Sequence, residues 1–369
     1  MARGDTKQGD VSTLAQLKDY YLLGKSGLRI SPLGLGTMTF GTEWGWGADI
    51  DTARDIFNAY VDAGGNFIDT ANGYTMGTSE QMVGQFMQER GIRDKIVLAT
   101  KFTFNTDPGN PNGGGNGRKN MLNAVNASLQ RLQTDYIDLY WLHSWDRLTP
   151  VEEVMETFDT LVRQEKIRYI GLSDCPAWYV SRAQTLAEKN GWARVNAIQM
   201  EYNLTERNLE LEYVDMVKEL GIGIVVWTPL AAGLLTGKHK REDLADGRLK
   251  VMQASDNPMG RRFTENPKNW DIVDVLVEVA NELGKPPAQV ALNFITKRPG
   301  VASTLIGATS TAQLQENMDS LDFEIPKEAL DRLDEASKPF IPTPYTFFRF
   351  SMQGRLTGGV NVNKVPPWY

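Results

Sequence analysis

Four side chains in this sequence form a set that could polarise a carbonyl group. They are Asp69, Tyr74, Lys101 and His143. Each stands at or just past the end of a hydrophobic, strand-like run, and these runs cover residues 66–68, 96–100 and 137–142. In a fold of successive parallel strands and helices, the carboxyl ends of the strands meet at one face. We therefore expect an acid, a phenol, an amine and an imidazole around one pocket.

The phenol of Tyr74 explains why such a set would be useful. A free tyrosine has a pKa of about 10 and gives up its proton reluctantly at neutral pH. A nearby Lys101 ammonium would favour the phenolate and make Tyr74 a better acid, while Asp69 would hold that ammonium in place. His143 could orient a carbonyl oxygen.

Each member of the set also has a structural interpretation. Asp69 and Lys101 could form an ordinary ion pair between strands, and a lone His143 could be a structural histidine. Their position at strand ends favours function, because barrel enzymes keep catalytic groups at the carboxyl face. His143 also alternates with Ile137, Leu139 and Trp141, which predicts that all four point to the same side of the strand.

The elements that would position these residues repeat along the chain. Strand-like runs start near residues 34, 66, 96, 137, 169, 197, 223 and 303, mostly separated by roughly thirty residues with helical periodicity. Eight such units predict the α/β class and a closed (β/α)8 TIM barrel. We expect one domain over residues 1–369, with the barrel at about 30–337 and a tail at 338–369.

Other segments fit around this repeat. Residues 20–30 predict a β-hairpin that turns at 25–27 and plugs the barrel floor. In the helix after His143, Thr149 is expected to cap the helix, followed by Pro150 in the first turn and Glu152 at the capping-box position. Long irregular segments, expected at the carboxyl-terminal face, cover residues 103–119, 231–269 and 338–369.

Composition narrows the class of protein further. The 369 residues carry 39 basic and 46 acidic side chains, and no basic stripe suggests a nucleic-acid partner. A single cysteine, Cys175, excludes an internal disulfide, and without an apolar leader or membrane-length run we expect a cytoplasmic protein with no membrane partner. His143 and His239, the only histidines, leave no histidine-rich metal site.

Several motifs, in order along most of the chain, resemble the aldo-keto reductase superfamily. They are Gly34-Leu-Gly-Thr-Met-Thr-Phe-Gly41, Asp69-Thr-Ala-Asn-Gly-Tyr74, Lys101, Asp135-Tyr-Ile-Asp-Leu-Tyr-Trp-Leu-His143, Gly171-Leu-Ser-Asp174 and Ile306-Gly-Ala-Thr309. Ser173-Asp-Cys-Pro-Ala-Trp178 and Trp227-Thr-Pro-Leu230 are most similar to the aryl-alcohol-dehydrogenase-like branch, which is related to potassium-channel β-subunits.

The resemblance implies that the four residues above are a complete catalytic tetrad and that the chain binds a nicotinamide dinucleotide. It places Ser173, Asp174 and Gln199 at the carboxamide and Trp227 beneath the ring, with plain core packing as the alternative for Trp227. Many relatives have asparagine at Asp174, and a carboxylate accepts but cannot donate. The adenosine half and the remaining cofactor contacts are assigned to Gly307, Thr309, Gln313, Glu316, Asn317, Thr37, Met38, Thr228, Pro229, Leu230 and Gly233.

The helix after the last strand also has a simpler explanation. Ser310 opens it with Gln313 three residues later, which is the pattern of an ordinary helix cap as well as of a phosphate-binding helix terminus. Gly34-Leu-Gly-Thr-Met-Thr lacks the third glycine of a Rossmann fingerprint, and a helix does not follow at once. The dinucleotide is therefore expected to be held by barrel loops.

The choice between NADP(H) and NAD(H) depends on basic residues after the seventh strand. Lys238, Arg261 or Arg262 could pair with a ribose 2′-phosphate, or could simply be solvated. Arg262 is the leading candidate because Phe263 beside it would anchor the segment. Together with the resemblance, this favours NADP(H).

Aromatic residues on loops after the strands suggest an apolar substrate surface. They are Trp44, Trp46, Phe102, Phe104 and Trp145, although several could merely anchor their loops. The pattern favours aryl or bulky alicyclic carbonyls or alcohols as substrates. In the tail, Tyr345, Phe347, Phe348 and Phe350 could extend this surface or seal the outer helices.

The sequence as a whole predicts an NADPH-dependent aldehyde or ketone reductase that also oxidises alcohols, with Tyr74 as the proton donor. Two alternatives stay open. A Schiff-base lyase would use Lys101 as a neutral nucleophile. A cofactor-sensing binding subunit would hold the dinucleotide without turnover.

Overall fold

The computed structural model describes residues 16–255, 258–349 and 352–360. Within them, eight parallel strands close into a barrel in the order β10-β3-β4-β5-β6-β7-β8-β9, and a separate antiparallel hairpin is formed by β1 and β2. The hairpin strands are β1 (Tyr21–Leu22) and β2 (Arg29–Ile30). The barrel strands are β3 (Leu33–Gly36), β4 (Phe67–Asp69), β5 (Val97–Phe102), β6 (Ile137–Leu142), β7 (Ile167–Ser173), β8 (Val195–Glu201), β9 (Gly223–Trp227) and β10 (Val301–Ile306).

Helices alternate with these strands and cover the outside of the barrel, which confirms the predicted (β/α)8 TIM barrel. The first six are α1 (Ile50–Asp62), α2 (Thr78–Arg90), α3 (Arg118–Leu132), α4 (Val151–Arg163), α5 (Ala177–Asn190) and α6 (Tyr213–Leu220). The others in the described part of the chain are α7 (Arg248–Ala254), α8 (Pro258–Glu265), α9 (Pro267–Leu283), α10 (Pro287–Thr296), α11 (Thr311–Met318), α12 (Lys327–Ala336), α13 (Tyr345–Arg349) and α14 (Met352–Leu356).

Helix α4 shows how the outer layer forms. Val154, Phe158 and Leu161 recur at helical spacing and are all fully buried against the barrel. The predicted cap at Thr149 is wrong, because the helix begins at Val151 with no side-chain cap and the Thr149 hydroxyl donates to Asp146 Oδ2 at 2.7 Å. Asp146 organises this turn instead.

The barrel interior is filled by alternate residues of the strands. Leu139 and Trp141 of β6 pack inside with Phe67, Ala99 and residues of the other strands, as the alternation predicts, whereas Ile137 belongs to the outer core. Gly171 on β7 makes room for Trp141, since a Cβ there would lie 2.1 Å from the indole. A large indole can therefore sit beneath the site.

The hairpin plugs the floor of the barrel, as predicted. Leu23 and Ile30 are fully buried and pack with the interior residues of the strands. Gly24 lies in the left-handed region at φ 56°, and a Cβ there would meet the Gly221 carbonyl oxygen at 2.6 Å. The backbone approach that seats the plug therefore requires glycine.

The segments predicted as irregular are only partly so. Residues 103–117 form an extended loop, but α7 and α8 lie within 231–269, and the tail contains α13 and α14. The Tyr345 hydroxyl bonds with Glu212, while Phe347 and Phe348 stay 53% and 67% exposed. Phe350 lies outside the described residues. No helix of the described part is both long and apolar enough to cross a bilayer.

Candidate active site

Lys101 is the hub of a cluster of polar groups at the carboxyl ends of the strands. Its side chain points into the barrel from β5 and is fully buried. The ammonium contacts an Asp69 carboxylate oxygen, donates to the Thr70 carbonyl at 2.9 Å and donates to the Tyr74 hydroxyl oxygen at 3.1 Å. All three donors of the ammonium are therefore directed at acceptors.

Asp69 is held from the opposite side by two further residues. Gln199 Nε2 donates to the second carboxylate oxygen at 3.0 Å, and the Thr37 hydroxyl donates to the Asp69 backbone carbonyl at 3.1 Å. Asp69, Gln199 and Thr37 are all buried, and they come from β4, β8 and the turn after β3. These hydrogen bonds thus connect strand ends that are far apart in sequence and fix the position of Asp69.

The charges in this cluster shift one another's pKa values. Burial raises the pKa of Asp69, and Lys101 only partly opposes that rise. Burial lowers the pKa of Lys101, but Asp69 and Tyr74 more than compensate, so its pKa is raised and the ammonium persists. Burial also raises the pKa of Tyr74 despite the neighbouring ammonium, so the net lowering expected from the sequence does not occur.

His143 completes the arrangement. Its imidazole lies edge-on to the Tyr74 ring, with the centroids 5.8 Å apart, and Phe104 packs on it at 4.6 Å. Burial and the nearby Lys101 charge hold the pKa of His143 well below its usual range, so the ring is neutral at pH 7. Its buried Nδ1 has no hydrogen-bond partner.

Aromatic side chains surround this cluster, but not all of those predicted. Trp44 packs against Tyr74 at 6.4 Å and against Trp46 at 5.6 Å, and Trp145 packs against Trp178 at 5.5 Å. The assignment of Phe102 to the substrate surface is wrong. It is fully buried in the outer core and stacks on Tyr140.

Phe104, predicted for the same surface, does lie beside the cluster. It is 53% exposed and touches His143. The physical reason is alternation: Lys101 points into the barrel, so the next residue must point outwards.

The predicted carboxamide contacts lie together at the ends of β7, β8 and β9. Ser173 pairs with Gln199 in the parallel register, and both are buried. Asp174 follows in an unusual backbone conformation at φ 46°, and its carboxylate accepts from Trp227 Nε1 at 3.1 Å. The half-buried Trp227 therefore presents an indole at the mouth, fixed by its own hydrogen bond.

The segment after β9 contains several residues with positive φ. Thr228, Ala231 and Ala232 adopt positive φ values of 53°, 49° and 57°, and Gly233 follows at 104°. Such conformations cost free energy without glycine and cluster at ligand-binding sites. Pro229 is buried and Leu230 half-buried, so this predicted cofactor segment forms a tight loop over the mouth.

The predicted adenosine contacts come together around the start of α11. Ser310 caps the helix by accepting from the Gln313 backbone amide, and the Gln313 side chain accepts from the Thr309 backbone and hydroxyl. Asn317 is buried and donates to the Gly307 carbonyl at 3.2 Å, while Glu316 is exposed. The half-buried Met38 and Thr39 lie in the turn after β3, and Thr39 donates to Ala308 at 2.8 Å.

The basic residues proposed for the 2′-phosphate are already engaged. Arg262 donates to Glu201 at 2.6 Å, and Lys238 donates to the Asp246 carbonyl at 3.0 Å. Sequence reasoning missed Arg248, the first residue of α7. Its guanidinium lies 5.0 Å from the Trp46 ring, its Nε is buried without a partner, and no ion pair to it is found in residues 16–255, 258–349 and 352–360.

The residues present fit a bound dinucleotide. A half-buried guanidinium without a carboxylate partner is costly unless an anion joins it, and dinucleotide phosphates are such anions. The strained loop, the fixed Trp227 indole and the capped α11 terminus border the same mouth. Only tertiary structure could reveal that Arg248 lacks an ion pair within the described residues, because Asp246, two residues before it, pairs with Lys250 instead.

Comparison with known proteins agrees with this geometry. The family model described as the aldo/keto reductase family matches residues 32–338. An aryl-alcohol dehydrogenase of Pestalotiopsis microspora is 32% identical over 93% of this chain and 87% of its own length. Norsolorinic acid reductase B of Dothistroma septosporum is 34% identical, over 92% of this chain and 86% of its own.

A third relative is named for its cofactor. It is an aryl-alcohol dehydrogenase [NADP(+)] of Phanerodontia chrysosporium, 32% identical over 87% of this chain and 86% of its own length. The family match covers the whole barrel, and the matched residues include the Lys101 cluster. The chain belongs to the aldo/keto reductase family.

Proposed function

We propose that this protein is an NADPH-dependent reductase of aldehydes or ketones that also oxidises the corresponding alcohols. The observation that carries the proposal is the direction of one hydrogen bond. Lys101 donates to the Tyr74 oxygen at 3.1 Å, so the phenolic hydrogen remains free for a substrate oxygen. The raised pKa of Tyr74 keeps that hydrogen in place at neutral pH.

Tyr74 then acts as the proton donor to the carbonyl oxygen. The Lys101 ammonium stabilises the phenolate that this transfer leaves behind, and Asp69 keeps the ammonium oriented. Neutral His143, beside the Tyr74 ring, donates a second hydrogen bond that orients the carbonyl. The bound nicotinamide supplies the hydride.

Residues at the mouth would hold the dinucleotide. Ser173, Asp174 and Gln199 are proposed at the carboxamide and Trp227 at the ring, with the strained loop over residues 228–233 and the start of α11 around the phosphates and adenosine. Arg248 is added to Arg262 and Lys238 as a phosphate partner. The relative named for NADP(+) supports the choice of cofactor.

The aromatic rim indicates the substrate class. Trp44, Trp46, Phe104, Trp145 and the 57% exposed Trp178 border the mouth with apolar rings. Aryl or bulky alicyclic carbonyls would bury the most apolar area there. The relatives named for aryl alcohols and for norsolorinic acid support this class.

The two alternatives receive less support. A Schiff-base lyase needs a neutral amine, but the Lys101 pKa is raised and its three donors are engaged. A binding subunit without turnover would not need the phenol, ammonium and imidazole at contact distance. We therefore propose a single functional domain with an intact catalytic centre.

The test is a steady-state screen of aryl and alicyclic aldehydes, ketones and alcohols with NADP(H) and NAD(H). The wild type should consume NADPH with an aryl carbonyl. Tyr74→Phe should lower kcat by about 10²- to 10⁴-fold, the usual worth of acid catalysis, while NADPH binding survives. Near-full turnover by this variant would refute the assignment of Tyr74. Tight NADPH binding by the wild type without turnover would select the binding subunit.

A further inference from the structure

The carboxyl of Asp174 is held firmly at the mouth of the barrel. Its backbone amide donates to the Gln199 carbonyl at 3.1 Å, and its Oδ1 accepts from Trp227 Nε1 at 3.1 Å. The strained φ of 46° directs the residue out of line with β7. The residue nevertheless keeps an exposed surface at the mouth, where the nicotinamide is proposed to bind, while the carboxyl itself lies against Trp227.

The cations near Asp174 are committed to other partners. Lys101 serves Asp69, the Thr70 carbonyl and Tyr74, and Arg262 pairs with Glu201 at the end of β8. Across the described residues, no ion pair to Asp174 is found. Lys101 acts on Asp174 only through space, so a carboxylate here contributes a negative charge that no ion pair in the described residues neutralises.

Most other titratable groups facing Asp174 do not change their protonation state near neutral pH. Burial raises the pKa of the Cys175 thiol well above its usual value and that of Tyr213 to about 12, so both stay neutral. Lys101 stays protonated. Burial raises the pKa of Glu201 while Arg262 opposes the rise, so Glu201 is the neighbour that needs its own control.

We propose that Asp174 makes this site prefer the oxidised dinucleotide, by placing an uncompensated carboxylate beside the ring that becomes cationic on oxidation. This inference rests on the proposed function, because it needs the nicotinamide at Trp227. Asparagine at the same position would offer the carboxamide a hydrogen bond without that charge.

The effect should be modest and should depend on pH. A neighbouring unit charge in a partly solvated site changes the affinity for a cation by about 3- to 10-fold. Desolvation raises the pKa of Asp174 to about 7, opposed by the Trp227 hydrogen bond. The carboxylate, and with it the preference, is therefore present above about pH 7 and is lost as the pH falls through that value.

The experiment compares dissociation constants of NADP⁺ and NADPH, measured by quenching of protein fluorescence at about pH 6 and about pH 8.5. The ratio Kd(NADPH)/Kd(NADP⁺) cancels the titration of the 2′-phosphate, which both forms share. In the wild type this ratio should rise by about 3- to 10-fold between the two pH values. In Asp174→Asn it should be flat and close to the wild-type value at low pH.

Two controls test whether the charge of Asp174 itself is responsible. Glu201→Gln, which removes the paired neighbouring carboxylate, should keep the rise. Asp322→Asn, which changes the net charge equally at an exposed position after α11, should keep it as well. Circular dichroism of each variant checks that the barrel is folded.

The outcomes separate this inference from the proposed function. Wild-type protein that binds neither dinucleotide would refute the proposed function. If Asp174→Asn binds both dinucleotides and its Kd(NADPH)/Kd(NADP⁺) ratio still rises with pH as in the wild type, only the inference is overturned. An equal loss of affinity for both dinucleotides would overturn it as well, because that result indicates that Asp174 orients the cofactor without a charge effect. Loss of the pH-dependent rise in Glu201→Gln would assign the effect to Glu201 and would also overturn the inference about Asp174.

Discussion

At the scale of the residue, the Lys101 ammonium links catalysis to stability. It is fully buried and depends on Asp69 for a counter-charge. Removing one partner of a buried pair leaves an uncompensated charge, which costs about 3–5 kcal/mol, whereas replacing both partners is often nearly neutral. The structural and catalytic roles of the pair can therefore be separated.

We predict that Lys101→Met lowers the free energy of unfolding by about 3–5 kcal/mol and abolishes most turnover. The double variant Asp69→Asn/Lys101→Met should recover most of the stability, because no charge remains buried, yet stay about 10²-fold or more below wild-type kcat. Urea denaturation and steady-state kinetics measure both. Recovery of activity together with stability would show that Lys101 has only a structural role.

The basic residues at the mouth lead to a second residue-scale prediction. Arg262→Ala should weaken NADPH binding more than NADH binding only if its ion pair with Glu201 opens on binding. Arg248→Ala removes a guanidinium that has no ion pair within the described residues and should weaken NADPH binding by about 10-fold or more. An equal loss for NADH would place Arg248 at the phosphates that both cofactors share.

An unchanged affinity in both arginine variants would instead move the 2′-phosphate contact to Arg261 or Lys238. Fluorescence titration with each dinucleotide measures the four constants. Glu201→Gln serves as the matched control for Arg262, because it breaks the same ion pair while leaving the guanidinium in place.

At the scale of the element, backbone strain is concentrated at one face of the barrel. Of the non-glycine residues with positive φ in the described chain, all but Gln133 and Glu165 follow the carboxyl end of a barrel strand; they are Thr75, Met76, Thr103, Arg147, Asp174, Thr228, Ala231 and Ala232. Strain of this kind persists where surrounding structure enforces it. The opposite face is instead closed by a regular hairpin.

We predict that Gly24→Ala lowers the free energy of unfolding by about 1–3 kcal/mol, because alanine is strained at positive φ and its Cβ would meet the backbone of β8 and β9. Gly27→Ala in the same hairpin meets nothing within 4 Å and should change stability by less than about 0.5 kcal/mol. Urea denaturation of the pair tests this. Equal effects would mean that the plug does not depend on the Gly24 approach.

At the scale of the whole molecule, the tail returns towards the mouth without being buried. Tyr345 bonds with Glu212 in the segment after β8, while Phe340, Phe347 and Phe348 remain exposed. No ring contact joins the described tail to Trp44, Trp46 or Trp145. These exposed aromatic rings do not support the interpretation that the tail seals the outer helices.

We predict that truncation after Lys338 raises KM for bulky aryl substrates and changes their ranking, with NADPH affinity and melting temperature nearly unchanged. The reason is that truncation exposes little buried surface, whereas Tyr345 ties the tail to Glu212 in the segment after β8, at the carboxyl-terminal face of the barrel. Tyr345→Phe, which deletes only the bond to Glu212, should shift KM in the same direction by less. Early melting or aggregation of the truncated chain would show that the tail belongs to the core.

The sequence by itself determined the barrel and the meeting of four polar side chains at its carboxyl face, because both depend on local signals. Strands that recur with intervening helices admit few topologies, and a polar residue at the end of each run must then reach the same face. Asp69, Tyr74, Lys101 and His143 could be identified in this way. Strict alternation along β5 also predicts that Phe102 points outwards, once Lys101 is placed inside the barrel.

Only the tertiary structure decided the properties that depend on several groups at once. The pKa of Tyr74 is a balance between burial and the Lys101 charge, and burial cannot be read from one segment. The Thr149 hydroxyl bonds with Asp146 instead of capping the helix. Arg262 pairs with Glu201, which lies 61 residues away in the sequence. Arg248 is distinctive only for lacking such a partner, because an ion pair is a property of two positions in space.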